Sequence, residues 1–124
     1  MRILVCEDQD AIRHMIETLV SASGHQVTGV ELGAKAVELA LSEHYDILLL
    51  DLMLPGALDG FAVCERVRAD PTTRDLPIFI ISAMDDPESR KRVMDAGATA
   101  FYGKPFRPLE LLQDINKVAR RSRA

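Results

Sequence analysis

Short β-branched or leucine-rich runs alternate along the chain with longer amphipathic stretches. Arg2 to Cys6 (RILVC) is a short, nearly continuous apolar run, followed by Ile12, Met15, Ile16, Leu19 and Val20 at the i, i+3, i+4, i+7, i+8 spacing of an amphipathic helix. The alternation then repeats. Gly24 closes the first helix, His25 to Val30 reads as a second strand, and Ala34, Val37, Leu39, Ala40 and Leu41 continue as a second helix. Tyr45 to Leu50 (YDILLL) suits a central strand covered on both faces. A loop holding Pro55, Gly56 and Gly60 precedes a helical pattern over Phe61 to Val67, which Asp70-Pro71 breaks. Leu76 to Ile81 (LPIFII) is a fourth buried strand. Pro87 opens a helix that Gly97 ends, Thr99 to Tyr102 is a short fifth strand, and Leu109, Leu112, Ile115, Val118 and Ala119 mark a fifth helix.

Strict strand-helix alternation with short connections predicts an α/β fold: a doubly wound, five-stranded parallel sheet with five helices on its two faces, joined by right-handed crossovers. Ligands of such sheets bind beyond the carboxyl ends of the strands, at the reversal of strand order. Functional residues are therefore expected just after strands and not along helix faces.

The 124 residues suit one domain, with a core over about residues 1–118 and a basic tail or linker at 119–124 that ends Arg120-Arg121-Ser122-Arg123. A formal charge of −4 carries no basic footprint for direct nucleic-acid binding. No apolar stretch approaches the ~18 residues of a membrane span, and Asp8 and Asp10 interrupt the only apolar run near the start, so a cytoplasmic address without membrane contact is expected. Cys6 and Cys64 lie inside apolar segments and read as reduced core residues.

Five polar residues pass the strand-end test: Glu7 and Asp8 after the first strand, Asp51 after the third, Ser82 after the fourth and Lys104 after the fifth. Three carboxylates on one edge repel one another unless a cation shares the site, and hard oxygen ligands suit Mg²⁺. Asp51 is then a credible nucleophile for an aspartyl phosphate. Lys104 and the Ser82 hydroxyl supply contacts for phosphoryl oxygens. Taken singly, Asp8 or Asp10 also reads as an N-cap of the first helix, Ser82 as a turn or cap residue ahead of Pro87, and Phe101 and Tyr102 as core. His14, His25 and His44 have no metal spacing and read as surface residues, while Met15, Met84 and Met94 read as packing residues.

With the acidic pair Glu7-Asp8, DLMLPG at Asp51, IIS at Ser82 and GKPF at Lys104 to Phe106, the sequence resembles the receiver domain of two-component response regulators over residues 1 to 118. The resemblance implies the flavodoxin-like strand order 2-1-3-4-5. It implies a phosphoacceptor at Asp51, and Mg²⁺ held by Asp8, Asp51, the carbonyl of Met53 and, largely through water, Glu7. Ser82 and Lys104 would hold the phosphate, and Ser82 and Phe101 would act as the switch pair. It implies as partners a sensor histidine kinase or histidine phosphotransfer protein, a downstream effector protein or domain, and at most a weak homodimer beside the monomer. A receiver module of a larger regulator or hybrid kinase, or a scaffold independent of phosphorylation, is the alternative. Two departures stand out: Phe101 lacks a tyrosine hydroxyl, and the loop from Pro55 to Gly60 is one residue longer than the family spacing. Met53 and Met84, two positions after Asp51 and Ser82, cannot orient a water, so slow self-dephosphorylation is expected.

Two rival chemistries fit less well. A haloacid-dehalogenase phosphatase needs a second aspartate two positions after its nucleophile, where Met53 stands. A flavin-binding module needs a phosphate-cradling loop after the first strand, where Glu7-Asp8-Gln9-Asp10 would repel a phosphate.

Overall fold

The computed structural model describes residues 1–123, with side chains through Arg121. It contains β1 (Arg2–Cys6), α1 (Asp10–Ala22), β2 (Gln26–Val30), α2 (Gly33–Ser42), β3 (Ile47–Leu50), α3 (Gly60–Ala69), β4 (Ile78–Ser82), α4 (Pro87–Asp95), β5 (Ala100–Gly103) and α5 (Pro108–Arg123). The five strands form one sheet in the order β2-β1-β3-β4-β5, all neighbours parallel. Both the expected order and the expected element count are present. Helix α5 runs on through the basic end as far as Arg123, and Ala124 lies outside the described residues.

The continuous apolar strands divide by the two-residue period of a strand. Leu4, Cys6, Leu48, Leu50, Ile78 and Ile80 point to the face covered by α2, α3 and α4, where they meet Ala36, Val37, Ala40, Phe61, Val63, Cys64, Val67 and Val93. Ile3, Val5, Ile47, Leu49, Phe79 and Ile81 point to the other face, against Ile16 and Val20 of α1 and Leu111 and Ile115 of α5. Each of the large side chains so buried contributes about 1.5–3 kcal/mol by leaving water. Both cysteines are free and buried, as expected.

Four strands, β2 to β5, begin one or two residues later than the sequence pattern suggests, because pairing and not hydrophobicity bounds a strand. Tyr45 and Asp46 precede β3, and Leu76 belongs to a turn closed by its N–H on the Thr73 carbonyl. Helix α1 also departs from its pattern. Its buried residues are Arg13, Ile16 and Val20, while Met15 is 46% exposed. Met94 is exposed too, so of the three methionines read as packing residues only Met84 rests against the core. Among the histidines, His14 and His44 are exposed, and His25 is half-buried between the chain's amino terminus and the Asn116 carboxamide.

Asp46 ties the entry of β3 to that of β1. Its carboxylate accepts from the Arg2 N–H at 2.8 Å and its own N–H donates to the Arg2 carbonyl at 2.7 Å. Burial works against the charge of Asp46, but the Arg2 N–H and then His44 outweigh it and hold its pKa below the ordinary value of 3.8. A folded-state pKa below the unfolded one contributes stability that is complete above ~3.8 and is lost as pH falls through the folded-state value. Asp46→Asn should therefore lower stability by about 1 kcal/mol at neutral pH, with the difference shrinking as pH falls below ~3.8. Urea unfolding of parent and variant across that range checks it, and a difference independent of pH would contradict it.

Candidate functional site

Parallel pairing brings the carboxyl ends of β1, β3, β4 and β5 to one edge of the sheet. Cys6 is in register with Leu50, and the Asp51 N–H donates to the Cys6 carbonyl at 3.1 Å, so the residues that follow, Glu7 and Asp51, are neighbours. Ser82 is paired with Gly103, and the Lys104 N–H donates to the Ser82 carbonyl at 3.0 Å. One carboxylate oxygen each from Glu7, Asp8 and Asp51 lie within 4.8 Å of one another. All five residues expected from the sequence stand at this edge.

Lys104 joins the cluster across 97 residues of chain. Its ammonium donates to Glu7 Oε1 at 2.5 Å and to Asp51 Oδ2 at 2.9 Å, with both carboxylates buried. Burial opposes the charge of Lys104, but the hydrogen bonds to Glu7 and Asp51 outweigh it and raise its pKa, so it is a fixed cation. Burial pushes the Glu7 carboxyl up, against the hydrogen bonds it accepts from Lys104 and from the Gln9 N–H, and the Asp51 charge adds to the rise. Behind them, burial and the charges of Asp51, Glu7 and Asp8 push the Cys6 thiol up to about 12, leaving it protonated and inert.

Other side chains are committed in ways that decide between the sequence readings. Asp8 is not a helix cap. Gln9 occupies the N-cap of α1 without a side-chain cap bond, Asp10 pairs with Arg13, and the Asp8 carboxylate has no hydrogen bond or ion pair among the described residues. Ser82 does not cap α4 either. That role falls to Asp86, whose side chain accepts from the Ser89 N–H, while the buried Ser82 hydroxyl accepts from the Met84 N–H at 3.1 Å. The Met53 side chain is 54% exposed, and its N–H donates to Asp51 Oδ1 at 3.1 Å. Phe101 is half-buried against the α2-α3-α4 core face, as is Met84, and the Arg90 guanidinium lies over its ring at 4.8 Å. The Lys104-Pro105 peptide is cis.

The loop from Pro55 to Gly60 is folded tightly against the core and the backbone of Asp51. Leu54 and Leu58 pack on the core, Asp59 caps α3 by accepting from the Ala62 N–H, and the Gly60 N–H donates to the Leu52 carbonyl at 3.0 Å. A Cβ on Gly60 would lie 2.3 Å from the Asp51 carbonyl oxygen and 2.5 Å from the Leu52 Cα. Only glycine permits that approach of α3 to the backbone that carries Asp51. Sequence reasoning noted Gly60 as a loop residue without this role, which depends on a contact no local pattern reports. It missed Arg13 altogether, although an arginine three residues after Asp10 and four before Glu17 on one helix was a visible signal.

A flavodoxin-like α/β domain with an acidic pocket and a lysine at its switch-point edge defines a class of phosphoryl-handling signalling modules. The chain belongs to the response regulator receiver domain family, whose model matches residues 3–116. It is 35% identical over 119 residues to the response regulator PleD of Caulobacter vibrioides, covering 96% of this chain and 26% of PleD. It is 37% identical over 123 residues to the response regulator MprA of Mycobacterium avium, covering 99% of this chain and 53% of MprA. The chain thus spans between a quarter and about half the length of these relatives. Among solved structures it resembles the receiver domain of the Francisella response regulator 1452 (TM-score 0.89, 28% identity, 98% of each chain covered). It also resembles the receiver domain of the sensor histidine kinase PA1611 of Pseudomonas aeruginosa, whose structure has a magnesium ion coordinated in the active-site cleft (TM-score 0.86, 32% identity, 94% of each chain covered). Receiver domains of this family act as switches in two-component signalling. No helix of the described residues is long and apolar enough to cross a membrane.

Gly60→Ala should force the Asp51-Leu52 backbone aside and lower stability by about 1–3 kcal/mol. A fall in the urea midpoint with an unchanged slope is expected, and a parental midpoint would show that the loop can relax without loss.

Proposed function

We propose that Asp51 is the phosphoacceptor of this receiver and that a sensor histidine kinase or a histidine phosphotransfer protein is its donor. The observation that carries this reading is the Lys104 ammonium bonded to Asp51 at the centre of a cluster of three strand-end carboxylates. An Asp51 carboxylate oxygen attacks the phosphorus of the donor's phosphohistidine. The O–P bond forms as the P–N bond breaks, and the imidazole nitrogen keeps the electron pair and takes up a proton. Lys104 stabilises charge on one phosphoryl oxygen, and the Ser82 hydroxyl donates to another while its lone pair still accepts from Met84.

The donor set fits Mg²⁺: Asp8 is uncommitted, Asp51 and Glu7 share only Lys104 as a side-chain partner, and all three offer hard oxygens. Asp8, Asp51, Glu7 and the Met53 carbonyl would hold it. Bound there, the ion neutralises charge on the phosphoryl oxygens. The domain is a switch and not a turnover enzyme, catalysing only its own phosphorylation and dephosphorylation, in the cytoplasm where ATP charges the kinase.

Phosphorylation acts through Ser82 and Phe101. Phe101 shares a packing layer with Met84, which is itself bonded to Ser82, so a shift of the Ser82 end of β4 repacks the ring and the surface of α4, β5 and α5, where a downstream effector binds. An apolar groove of about 460 Å³, lined by Ile12, Met15, Lys104, Pro105, Phe106 and Pro108, opens beside Lys104 and suits the histidine-bearing partner, which must bring its phosphoryl group to that lysine. The share of PleD and MprA that the chain covers favours a second reading in which the same switch drives other domains of a longer regulator.

Intact mass after incubation with acetyl phosphate and Mg²⁺ tests the acceptor. One phosphoryl group should be gained by the parent, not by Asp51→Asn, and not when the metal is chelated. An unmodified parent, or a modified Asp51→Asn, would overturn the assignment. The phosphorylated form should persist for minutes or longer, because the thioethers of Met53 and Met84 hold no water for attack. Loss of the phosphoryl group within seconds would contradict that.

A further inference from the structure

Glu7 and Asp8 belong to one short turn between β1 and α1, and one buried side chain holds the backbone of that turn. Arg13 is 8% exposed, and its Nη1 donates to the Glu7 carbonyl at 2.9 Å. That oxygen belongs to the peptide unit that leads into Asp8, so fixing it fixes the direction in which Asp8 leaves the turn. The Glu7 N–H donates to the Val30 carbonyl and its carboxylate accepts from Gln9 and Lys104, so every polar group of Glu7 is held. Asp8, by contrast, has no hydrogen bond or ion pair of its own among the described residues. The guanidinium is in turn gripped by Asp10 at 2.5 Å and by Glu17 and Glu31 at 3.5 Å each, from α1 and from the turn after β2. Gly29 of β2 makes room for this group. A Cβ there would lie 2.3 Å from Glu17 Oε1 and 3.1 Å from Arg13 Cδ.

We infer that Arg13 is a positioning residue for the divalent cation: it sets the Glu7-Asp8 peptide so that the uncommitted Asp8 carboxylate faces the cation shared with Asp51. The inference rests on the metal reading proposed above. Outer partners that orient metal ligands typically change affinity by about 10–100-fold when removed.

Charge and positioning make opposite predictions. Arg13 is a cation close to a cation site, and by Coulomb's law alone its removal should tighten Mg²⁺ binding. If Arg13 positions the turn, its removal weakens binding. The experiment is Mg²⁺ titration of the whole chain by calorimetry, without phosphodonor, for the parent, Arg13→Met and Arg13→Lys, with urea unfolding of each. Lysine retains the charge but cannot hold the Glu7 carbonyl and Asp10 together, so it tests the role if Arg13→Met does not fold. The expected result is about 10-fold or more weaker Mg²⁺ binding by Arg13→Met, and weaker binding by Arg13→Lys in a chain that still unfolds cooperatively. Equal or tighter binding by either folded variant overturns the inference and leaves the acceptor reading standing. A parent that binds no Mg²⁺ overturns the metal reading and this inference with it.

Discussion

Five strands running the same way constrain everything else in this molecule. Parallel pairing forces each crossover to return through a helix, which covers both faces of the sheet and requires the strands to be apolar on both sides. It also gathers the carboxyl ends of all strands on one edge, so residues that lie as far apart in sequence as Glu7 and Lys104 become hydrogen-bond partners. The apolar strands and the polar edge are therefore one design. Burial of Ile3 to Cys6, Ile47 to Leu50 and Ile78 to Ile81 is what places carboxylates in a setting where water screens them poorly.

That setting needs positive charge, and the molecule supplies it in two layers. Lys104 lies among the carboxylates and is bonded to two of them. Arg13 lies behind the turn that carries Glu7 and Asp8, with its own charge absorbed by Asp10, Glu17 and Glu31. The first group holds side chains and the second holds backbone, so their loss should be felt differently. Asp8 shares the edge with Glu7 and Asp51 but has no hydrogen bond or ion pair among the described residues, so the three carboxylates and Lys104 do not close into a self-contained salt-bridge cluster.

The surroundings of Phe101 have a chemistry of their own. Phe101 has no hydroxyl, so its ring cannot be held by a hydrogen bond at its rim. Here the Arg90 guanidinium lies over the ring from outside and Met84 joins it on the same core face. The ring is thus held by dispersion and a cation–π contact, both of which fall away smoothly as it moves. The loop from Leu54 to Asp59 lies on that same core face through Leu54 and Leu58.

The strand and helix order, the parallel sheet and the five strand-end residues were legible in the sequence, because continuous apolar runs, the 3.6-residue period and the abrupt change from apolar to polar after a strand are local signals. What lay beyond it were choices made by neighbours distant along the chain. The apolar spacing of α1 assigned Met15 to the interior, but the buried stripe turns toward Arg13, whose guanidinium finds a carbonyl and three carboxylates there. Asp8 could locally have capped α1, and only the cluster with Glu7 and Asp51 leaves it uncapped and uncommitted. Gly60 read as an ordinary loop glycine until the Asp51 backbone was found to occupy the space of its Cβ. Sequence by itself thus determined which elements form and which residues reach the edge, since burial patterns repeat locally. Tertiary structure decided which polar groups are partnered and which are left free, since hydrogen bonds and close contacts are settled by groups that meet only when the sheet is assembled.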